Sequence, residues 1–350
     1  MKKPFVSLIL LSYNYEPYIG DAIQSVLDQT YPHWELIVVD DASTDRSLEV
    51  IRSFSDPRIR LLRRKRNAGP SASYNHAYAR CRGQYVGSLD ADDFLAPRKL
   101  ELQVGHFETH PDLDVLGTFV TEVDAAGHAA DNGTAAWFNQ DLDLDDVENW
   151  LMQNHLCHSS ALLRRSTHDR LGLLNPHLRV ASDYELWLRG LTQGSRFQVL
   201  NEPLLFSRQH GSNAWRKVGR SDLFLELAYL FSAHLARHLA GRSQVELIHS
   251  CVSFFNIHFL AAATDDERDA VAKELLNFSR HPRDFAGFAA AFERGCGPHW
   301  PAILDAIDPD RDRAPLRDSA RSWLGKLTMP WRRRPQLGEE DDTLVQVESL

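Results

Sequence analysis

The stretch Phe5-Val6-Ser7-Leu8-Ile9-Leu10-Leu11-Ser12-Tyr13-Asn14 decides how the rest of the chain is read. Residues 5–11 form a nearly unbroken apolar run, the pattern of a strand covered on both faces, and the run stops at a polar cluster, Ser12-Tyr13-Asn14. Residues 16–29 then read as a helix with Ile19, Ile23, Val26 and Leu27 on one side. A second apolar run, 34–39, ends abruptly at Asp40-Asp41. Ser43 is placed to cap a following helix that turns Leu48, Ile51 and Phe54 inward. Residues 59–62 give a third strand and 71–80 a third helix; a fourth strand over 85–89 ends at Asp90. Strands alternating with helices imply right-handed crossovers and a mostly parallel sheet flanked by helices. Ligands of such sheets bind outside the carboxyl ends of the strands. Topology therefore brings Ser12-Tyr13-Asn14, the segment 40–45 and the segment 90–93 to one edge.

The chain has 350 residues, which at roughly 150 residues per domain suggests two domains. Hydrophobic residues at 43% and charged residues at 25% are those of a globular protein with a sizeable core. A net charge of −9 argues against nucleic acid as a partner, because a basic surface is needed to displace its counterions. The four cysteines, Cys81, Cys157, Cys251 and Cys296, form no CxxC pair, so neither a zinc site nor a disulfide framework is implied, and reduced thiols in the cytoplasm are the simpler reading. The opening Met1-Lys2-Lys3-Pro4 precedes an apolar run too short for a signal peptide. No apolar stretch reaches the roughly 20 residues that span a bilayer; 251–263 comes nearest but contains Asn256 and His258.

Further along, 114–127 is strand-like, 141–149 is an acidic loop or short helix, and 158–163 reads as a strand before a helix from Ser166. Beyond His210-Gly211 the pattern becomes helical, over 221–239, 245–260, 265–278 and 285–292. The division expected is 1–214 as the α/β domain, 215–330 as a C-terminal helical region, and 331–350 as an acidic disordered tail.

In Asp90-Ala91-Asp92-Asp93, extended backbone turns residues i and i+2 to the same side, so Asp90 and Asp92 can face one ligand. Paired carboxylates at a strand end suit Mg²⁺ or Mn²⁺ bridging to phosphate. The competing reading is a solvated acidic turn, with Asp93 capping a helix over 95–102. Asp40-Asp41-Ala42-Ser43-Thr44-Asp45 likewise reads as turn formers, or as carboxylates accepting from a nucleobase N–H or ribose hydroxyls.

Together, Val6 through Asn14, Asp40-Asp41-Ala42-Ser43-Thr44-Asp45, Asn67-Ala68-Gly69 and Leu89-Asp90-Ala91-Asp92-Asp93 resemble the ordered motifs of family 2 inverting glycosyltransferases with the GT-A fold. The match covers about the first 110 residues, with weaker features to Asn213. The chain departs where Leu11-Ser12 replace the usual Pro-Thr and Ala42 the usual Gly, and neither change removes a carboxylate. The resemblance implies an enzyme that transfers a sugar from a nucleotide donor, a UDP- or dTDP-sugar, in polysaccharide or cell-envelope biosynthesis. By it, Ser12, Tyr13, Asp40, Asp41, Asn67 and Asp90 line the nucleotide-sugar pocket, and Asp92 is the principal metal ligand with Asp90 beside it. The segment Ala181-Ser182-Asp183-Tyr184-Glu185-Leu186-Trp187-Leu188-Arg189 resembles the family's later acidic motif, which makes Asp183 the general base; Ser182 stands where the usual preceding acid would, and Glu185 is a weaker substitute. Read alone, Asp183 is also a helix N-cap before the stripe Tyr184, Trp187, Leu188 and Leu191. Arg208-Gln209-His210 resembles a late Arg-x-His motif that puts His210 near the metal or diphosphate; His155 and His158 are further candidates for the acceptor side.

The acceptor implied is a glycan or a lipid-linked saccharide. Residues 319–336 set Trp323, Leu324, Leu327, Met329 and Trp331 beside Arg321, Lys326 and Arg332-Arg333-Arg334, which suits either a terminal helix packed on its own domain or peripheral contact at the inner face of a membrane. A sugar-nucleotide pyrophosphorylase and a noncatalytic nucleotide-sugar-binding protein are the alternatives. The first lacks its Gly-rich basic loop here, and the second does not need both Asp92 and Asp183.

Overall fold

A computed structural model describes residues 5–131, 133–150, 153–211, 213, 218–234, 244–281, 284–308 and 343–346. The chain divides into two compact units, Met1–Arg216 with Asp341–Leu350, and Lys217–Glu340.

In the first unit β1 (Val6–Ser12), β2 (Trp34–Asp40), β3 (Ile59–Arg63) and β4 (Tyr85–Asp90) alternate with α1 (Ile19–Leu27), α2 (Ser47–Arg52) and α3 (Pro70–Tyr78). β5 (Phe94–Leu95), α4 (Lys99–Thr109), β6 (Val115–Val123), α5 (Thr134–Phe138), β7 (Leu162–Arg164), α6 (Arg165–Leu171), α7 (Ser182–Thr192) and β8 (Phe197–Arg208) follow, and β9 (Thr343–Gln346) completes the sheet. Among the described residues the sheet has nine strands in the order β5-β8-β6-β7-β4-β1-β2-β3-β9. The block β4-β1-β2-β3 is parallel throughout, as expected from the alternation, while β7 runs antiparallel to both β4 and β6. Val6, Leu8 and Leu10 of β1 and Trp34, Leu36 and Val38 of β2 are fully buried, and they form one core with Ile19, Ile23 and Val26 of α1. The continuous apolar runs arise because both faces of these strands are covered.

Some local expectations are corrected. Ser43 caps no helix: its Oγ accepts from the Asn14 N–H at 3.0 Å, and α2 starts only at Ser47, whose N–H is bound by Asp45 Oδ1 at 2.9 Å. Tying the end of β1 to the loop after β2 takes precedence over capping. Residues 158–163 are not one strand. His158–Ser160 form a 3-10 turn, because the N–H and Oγ of Ser160 both bond back to the Cys157 carbonyl, at 3.0 and 2.8 Å. Asp93 caps no helix over 95–102, since Phe94–Leu95 pair with β8 before α4 begins at Lys99. Within the tail read as disordered, residues 343–346 pair antiparallel with β3 and cover an edge whose backbone groups would otherwise face solvent. The segment 319–336 lies outside the described residues. All four cysteines are free thiols.

The second unit contains α8 (Arg220–Ala233), α9 (Gln244–His258), α10 (Asp265–Arg280), α11 (Phe285–Cys296) and α12 (Trp300–Ile307). Its core is aromatic: Phe224 packs edge-on to Phe255 at 5.0 Å, and Phe278 to Phe288 at 4.7 Å. Thr264 and Glu267 form a reciprocal capping box at the start of α10.

In the first unit His168 is fully buried, stacked on Tyr78 at 3.8 Å and facing Tyr74 at 5.7 Å. Burial holds the imidazole neutral, its pKa pushed down to about 3. Below about pH 6.5 the unfolded chain takes up a proton that the folded state refuses, so stability falls as pH falls. At 1.36 kcal/mol per pH unit, His168 alone should remove about 2 kcal/mol between pH 6.5 and 5. Melting temperatures of wild type and His168→Phe across that range should show a smaller drop in the variant, and equal drops would rule out this source of acid sensitivity.

Candidate functional site

Register fixes the site. Leu11 of β1 lies opposite Asp90 of β4, and Ser12 lies opposite Asp40 of β2. The chain passes from β1 to β2 on one side while β4 flanks β1 on the other, so the strand order reverses at β1, where a crevice opens at the carboxyl ends. Asp40 and Asp90 stand two strand spacings apart, about 10 Å.

At the β2 end the two acids do different work. Asp41 accepts from the Ala68 and Gly69 N–H groups at 2.9–3.2 Å, with Arg64 at 3.5 Å, and so shapes the loop after β3. Asn67 is exposed, and its Oδ1 accepts from the Gly69 N–H at 3.1 Å. Asp40 is wholly buried. Its Oδ1 accepts from the Ser43 N–H at 3.2 Å, while its Oδ2 accepts no hydrogen bond and lies 3.8 Å from Arg63 Nε. At the β1 end Ser12 is buried with no hydrogen-bond partner for its Oγ, and Tyr13 is 43% exposed. Asn14 adopts φ 61° and its Oδ1 accepts from the Thr44 N–H at 2.8 Å.

At the β4 end three carboxylates crowd together. Asp93 accepts from the Arg208 N–H at 3.0 Å, and Arg208 is itself spent on the Asp92 carbonyl, the Ala125 carbonyl and Asp21. Asp92 Oδ2 lies 3.1 Å from His210 Nε2 and accepts from Asn213 Nδ2 at 3.0 Å. His210 stacks on Tyr18 at 4.6 Å. Asp90 remains open to solvent although protein crowds it, as on the floor of a cleft, and its N–H donates to Ser159 Oγ at 3.0 Å. Burial and the Asp92 charge push the Asp90 pKa up to about 6, and burial followed by Asp92 and Asp90 raises that of Asp93. Asp92 is raised by burial, and Tyr15 by burial and then all three acids.

Asp183 lies in the first turn of α7, whose N-cap is Ala181, so it is not the helix cap. Its Oδ2 accepts from Asn154 Nδ2 at 3.0 Å and its Oδ1 from the Tyr184 N–H at 2.7 Å. Burial pushes its pKa up to about 7; these two hydrogen bonds oppose the rise and the Asp90 charge adds to it. Asp183 and Asp90 thus share one electrostatic environment, and Cys157 feels Asp93, Asp90 and Asp183 together. Glu185 does not join them. It is buried in an ion pair with Arg189 at 2.8 Å. His155 is buried against Trp150, and His158 is partly buried, with desolvation taking its pKa down to about 4.

Sequence reasoning marks His155 and His158 in the segment 153–160 but misses Asn154 and Ser159, which touch both sides of the cleft. Asn154 holds Asp183 and Ser159 holds Asp90, while Trp187 Nε1 bonds the Leu156 carbonyl at 3.1 Å and the Tyr184 hydroxyl bonds the Trp150 carbonyl. Single polar residues contacting partners 29 and 69 positions away leave no periodic trace. Asn213, beside Asp92, was likewise not singled out.

Among the described residues no three His, Cys, Asp or Glu side chains are arranged to hold a metal alone. The donor set still suits one that a substrate completes: adjacent oxygen and imidazole donors, Asp92 and His210, stand beside an ionisable Asp90. Mg²⁺-type sites characteristically use one or two carboxylates plus substrate phosphate. A cavity of about 630 Å³ elsewhere in the first unit is lined by Tyr31, Glu101, His106 and Glu202 and holds none of these groups. Converging carboxylates mark the site better than cavity size does.

Residues 7–172 match the model described as glycosyl transferase family 2. TuaG of Bacillus subtilis (strain 168), named for teichuronic acid biosynthesis as a glycosyltransferase, is 31% identical over 232 residues, which cover 63% of this chain and 86% of TuaG. An uncharacterized glycosyltransferase of Methanocaldococcus jannaschii is 30% identical over 210 residues, 59% of this chain and 71% of that protein. Among solved structures, S. aureus TarS 1–349 in complex with UDP-GlcNAc superposes with a TM-score of 0.62 at 18% identity, covering 86% of this chain and 91% of that one. At that identity the likeness is one of fold.

The Asn154–Asp183 bond gives a direct prediction. Asn154 Oδ1 accepts from the Leu156 N–H at 3.1 Å, which turns its N–H donor toward Asp183. Asn154→Asp can keep the turn while setting a like charge against Asp183. The Asp183 carboxyl, followed by ¹³C NMR with Asp183→Asn as the assignment control, should titrate above its value of about 7, whereas an unchanged midpoint would show that the bond does not form.

Proposed function

The chain belongs to glycosyltransferase family 2, and we propose that it is a metal-dependent inverting enzyme carrying a sugar from a nucleoside-diphosphate donor to a hydroxyl of a glycan or lipid-linked saccharide. One observation carries this reading: Asp40, Asp90 and Asp92 stand at adjacent strand ends, and Asp183 lies within electrostatic reach of Asp90.

In this reading the donor lies across the strand ends. Asp40 Oδ2, which accepts no hydrogen bond, would take a base N–H, with the exposed Tyr13 ring against the base and Ser12 Oγ at the pocket floor. Asp41 and Asn67 form the pocket wall through the loop they hold. The ribose and diphosphate reach toward Asp90 and Asp92. Asp92, with Asp90 and His210, would hold Mn²⁺ or Mg²⁺, which when bound offsets charge developing on the leaving diphosphate. We take the donor to be a UDP- or dTDP-sugar; TarS, which is similar in fold, was solved with UDP-GlcNAc, in keeping with the first of these.

On the opposite side Asp183 acts as general base. The acceptor hydroxyl gives its proton to the Asp183 carboxylate while its oxygen bonds to the anomeric carbon. The bond from that carbon to the diphosphate oxygen breaks, and its electron pair leaves with the nucleoside diphosphate. Attack from the face opposite the leaving group inverts the centre. A base with a pKa near the working pH combines a usable ionised fraction with proton affinity. TuaG is named for teichuronic acid biosynthesis, which favours a polysaccharide as product, and in our reading it is assembled from the cytoplasm at the inner membrane face. No helix among the described residues is long and apolar enough to cross a membrane.

A thermal-shift screen of UDP-, dTDP- and GDP-sugars with Mn²⁺ should reveal a stabilising donor, and stabilisation by none would defeat the reading. With the best donor, Asp92→Asn should weaken Mn²⁺-dependent binding at least tenfold by calorimetry. Asp183→Asn should bind normally yet slow nucleoside-diphosphate release by roughly 10²–10⁴-fold. Because the base must be ionised, kcat/KM should climb with pH to a half-maximum near 7 and fall about tenfold per unit below pH 6. A flat profile between pH 5 and 8 would remove Asp183 from the role.

A further inference from the structure

We infer that Trp137 is the platform of an acceptor subsite, on which a pyranose ring of the acceptor glycan stacks while its neighbouring hydroxyl reaches Asp183. The inference deepens the transferase reading and rests on it.

Among the described residues of the first unit, two large hydrophobic side chains are exposed, Tyr13 at 43% and Trp137 at 49%. Single exposed apolar residues scattered over a surface need no explanation. These two are not scattered. Tyr13 directly follows β1 at the carboxylate edge. Trp137 sits on α5, which follows β6, whose last residue Val123 pairs with Arg208 beside Asp92 and Asp93.

The helix carrying the indole is fixed at both ends. Glu122 Oε1 accepts from the Ala135 N–H at 2.7 Å, and the Asn139 amide pairs with both the N–H and the carbonyl of Val120, each at 2.7 Å. These bonds hold α5 against β6, and the ring stays half in water although a buried indole would gain from the hydrophobic effect.

The connection to the base is short. Gln153 Nε2 donates to the Trp137 carbonyl at 3.4 Å, and the next residue, Asn154, donates to Asp183 at 3.0 Å. Two adjacent side chains, Gln153 and Asn154, therefore tie the indole-bearing backbone to the base through one hydrogen bond each. An acceptor whose hydroxyl meets Asp183 must lead the rest of its chain outward, and Trp137 is an exposed aromatic ring on a helix tied to that segment.

The chemistry favours a pyranose. One face of such a ring is lined by C–H groups whose hydrogens carry partial positive charge, and an indole offers them a broad face of negative potential. Neither a polyol-phosphate chain nor a lipid tail presents that flat, polarised face.

The test uses wild type, Trp137→Ala and Trp137→Phe with UDP and Mn²⁺ present. Each is read on an array of oligosaccharides of hexoses, N-acetylhexosamines and hexuronic acids, beside ribitol-phosphate oligomers. Wild type should be retained on a subset of the pyranose glycans, Trp137→Ala should lose at least tenfold, and Trp137→Phe should keep most of the binding because a ring persists. Should the alanine variant unfold, Trp137→Gln keeps bulk without the ring and gives the same comparison. Retention of wild type on no pyranose, retention on ribitol phosphate alone, or equal binding by Trp137→Ala would overturn the inference. Nucleotide-sugar thermal shifts on the same preparations report the donor side separately. Their absence in wild type counts against the transferase reading, whereas intact shifts with unaltered glycan binding in Trp137→Ala remove the subsite alone.

Discussion

Crowding of like charge at the end of β4 is the constraint around which the first unit is organised. Asp90, Asp92 and Asp93 occupy three of four consecutive positions; burial makes each reluctant to ionise, and neighbouring charge adds to this at Asp90 and Asp93. A chain free to relax would splay them into solvent. Parallel pairing of β4 with β1 holds them together, with Arg208 donating its N–H to the Asp93 carboxylate and its Nε–H to the Asp92 carbonyl. In the reading proposed above, a cation arriving with the donor would relieve that crowding, and the relief would favour its binding.

The acids at this edge divide into those that build and those that remain available. Asp41, Asp45, Asp93 and Glu185 have their oxygens committed to backbone N–H groups or to arginine, and they fix loops and a helix. Asp40 keeps one oxygen without a hydrogen bond, Asp90 keeps solvent access, Asp92 faces His210 and an amide, and Asp183 is held by an amide and one N–H. Amide donors steady a carboxylate without neutralising it, whereas a guanidinium would cancel its charge and lower its basicity. Asp41 and Glu185 stand beside arginine guanidinium groups, whereas Asp92 and Asp183 are held by asparagine amides.

This division also marks how far the sequence could be read. The strand ends were legible because β1, β2 and β4 are apolar runs that stop dead at polar residues, and topology alone assigns such ends to one edge. Which acid of a pair does chemistry was not legible: Asp40 and Asp41 are the same letter, and only the loop that returns at Ala68 and Gly69 tells them apart. The support of Asp183 by Asn154, and of Asp90 by Ser159, depends on a segment with no regular period. The Ser43 reading failed for a related reason, because a good local cap lost to a contact 29 residues away.

Backbone strain shows that the donor-side loops are held as tightly as the carboxylates. Among the described residues two non-glycine residues adopt positive φ, Asn14 at 61° and Ala42 at 64°, one after β1 and one after β2. Asparagine tolerates this region because its side chain bonds locally, here to the Thr44 N–H. Alanine has no such recourse, and the conformation costs it roughly 1–2 kcal/mol. What holds Ala42 there is its flanks, since Asp40 binds the Ser43 N–H on one side and Asp41 binds the 68–69 backbone on the other. The turn that aims Asp40 along the strand end is therefore held in part by the anchoring of Asp41. An acid that need touch no ligand is thus a condition for the one beside it being able to.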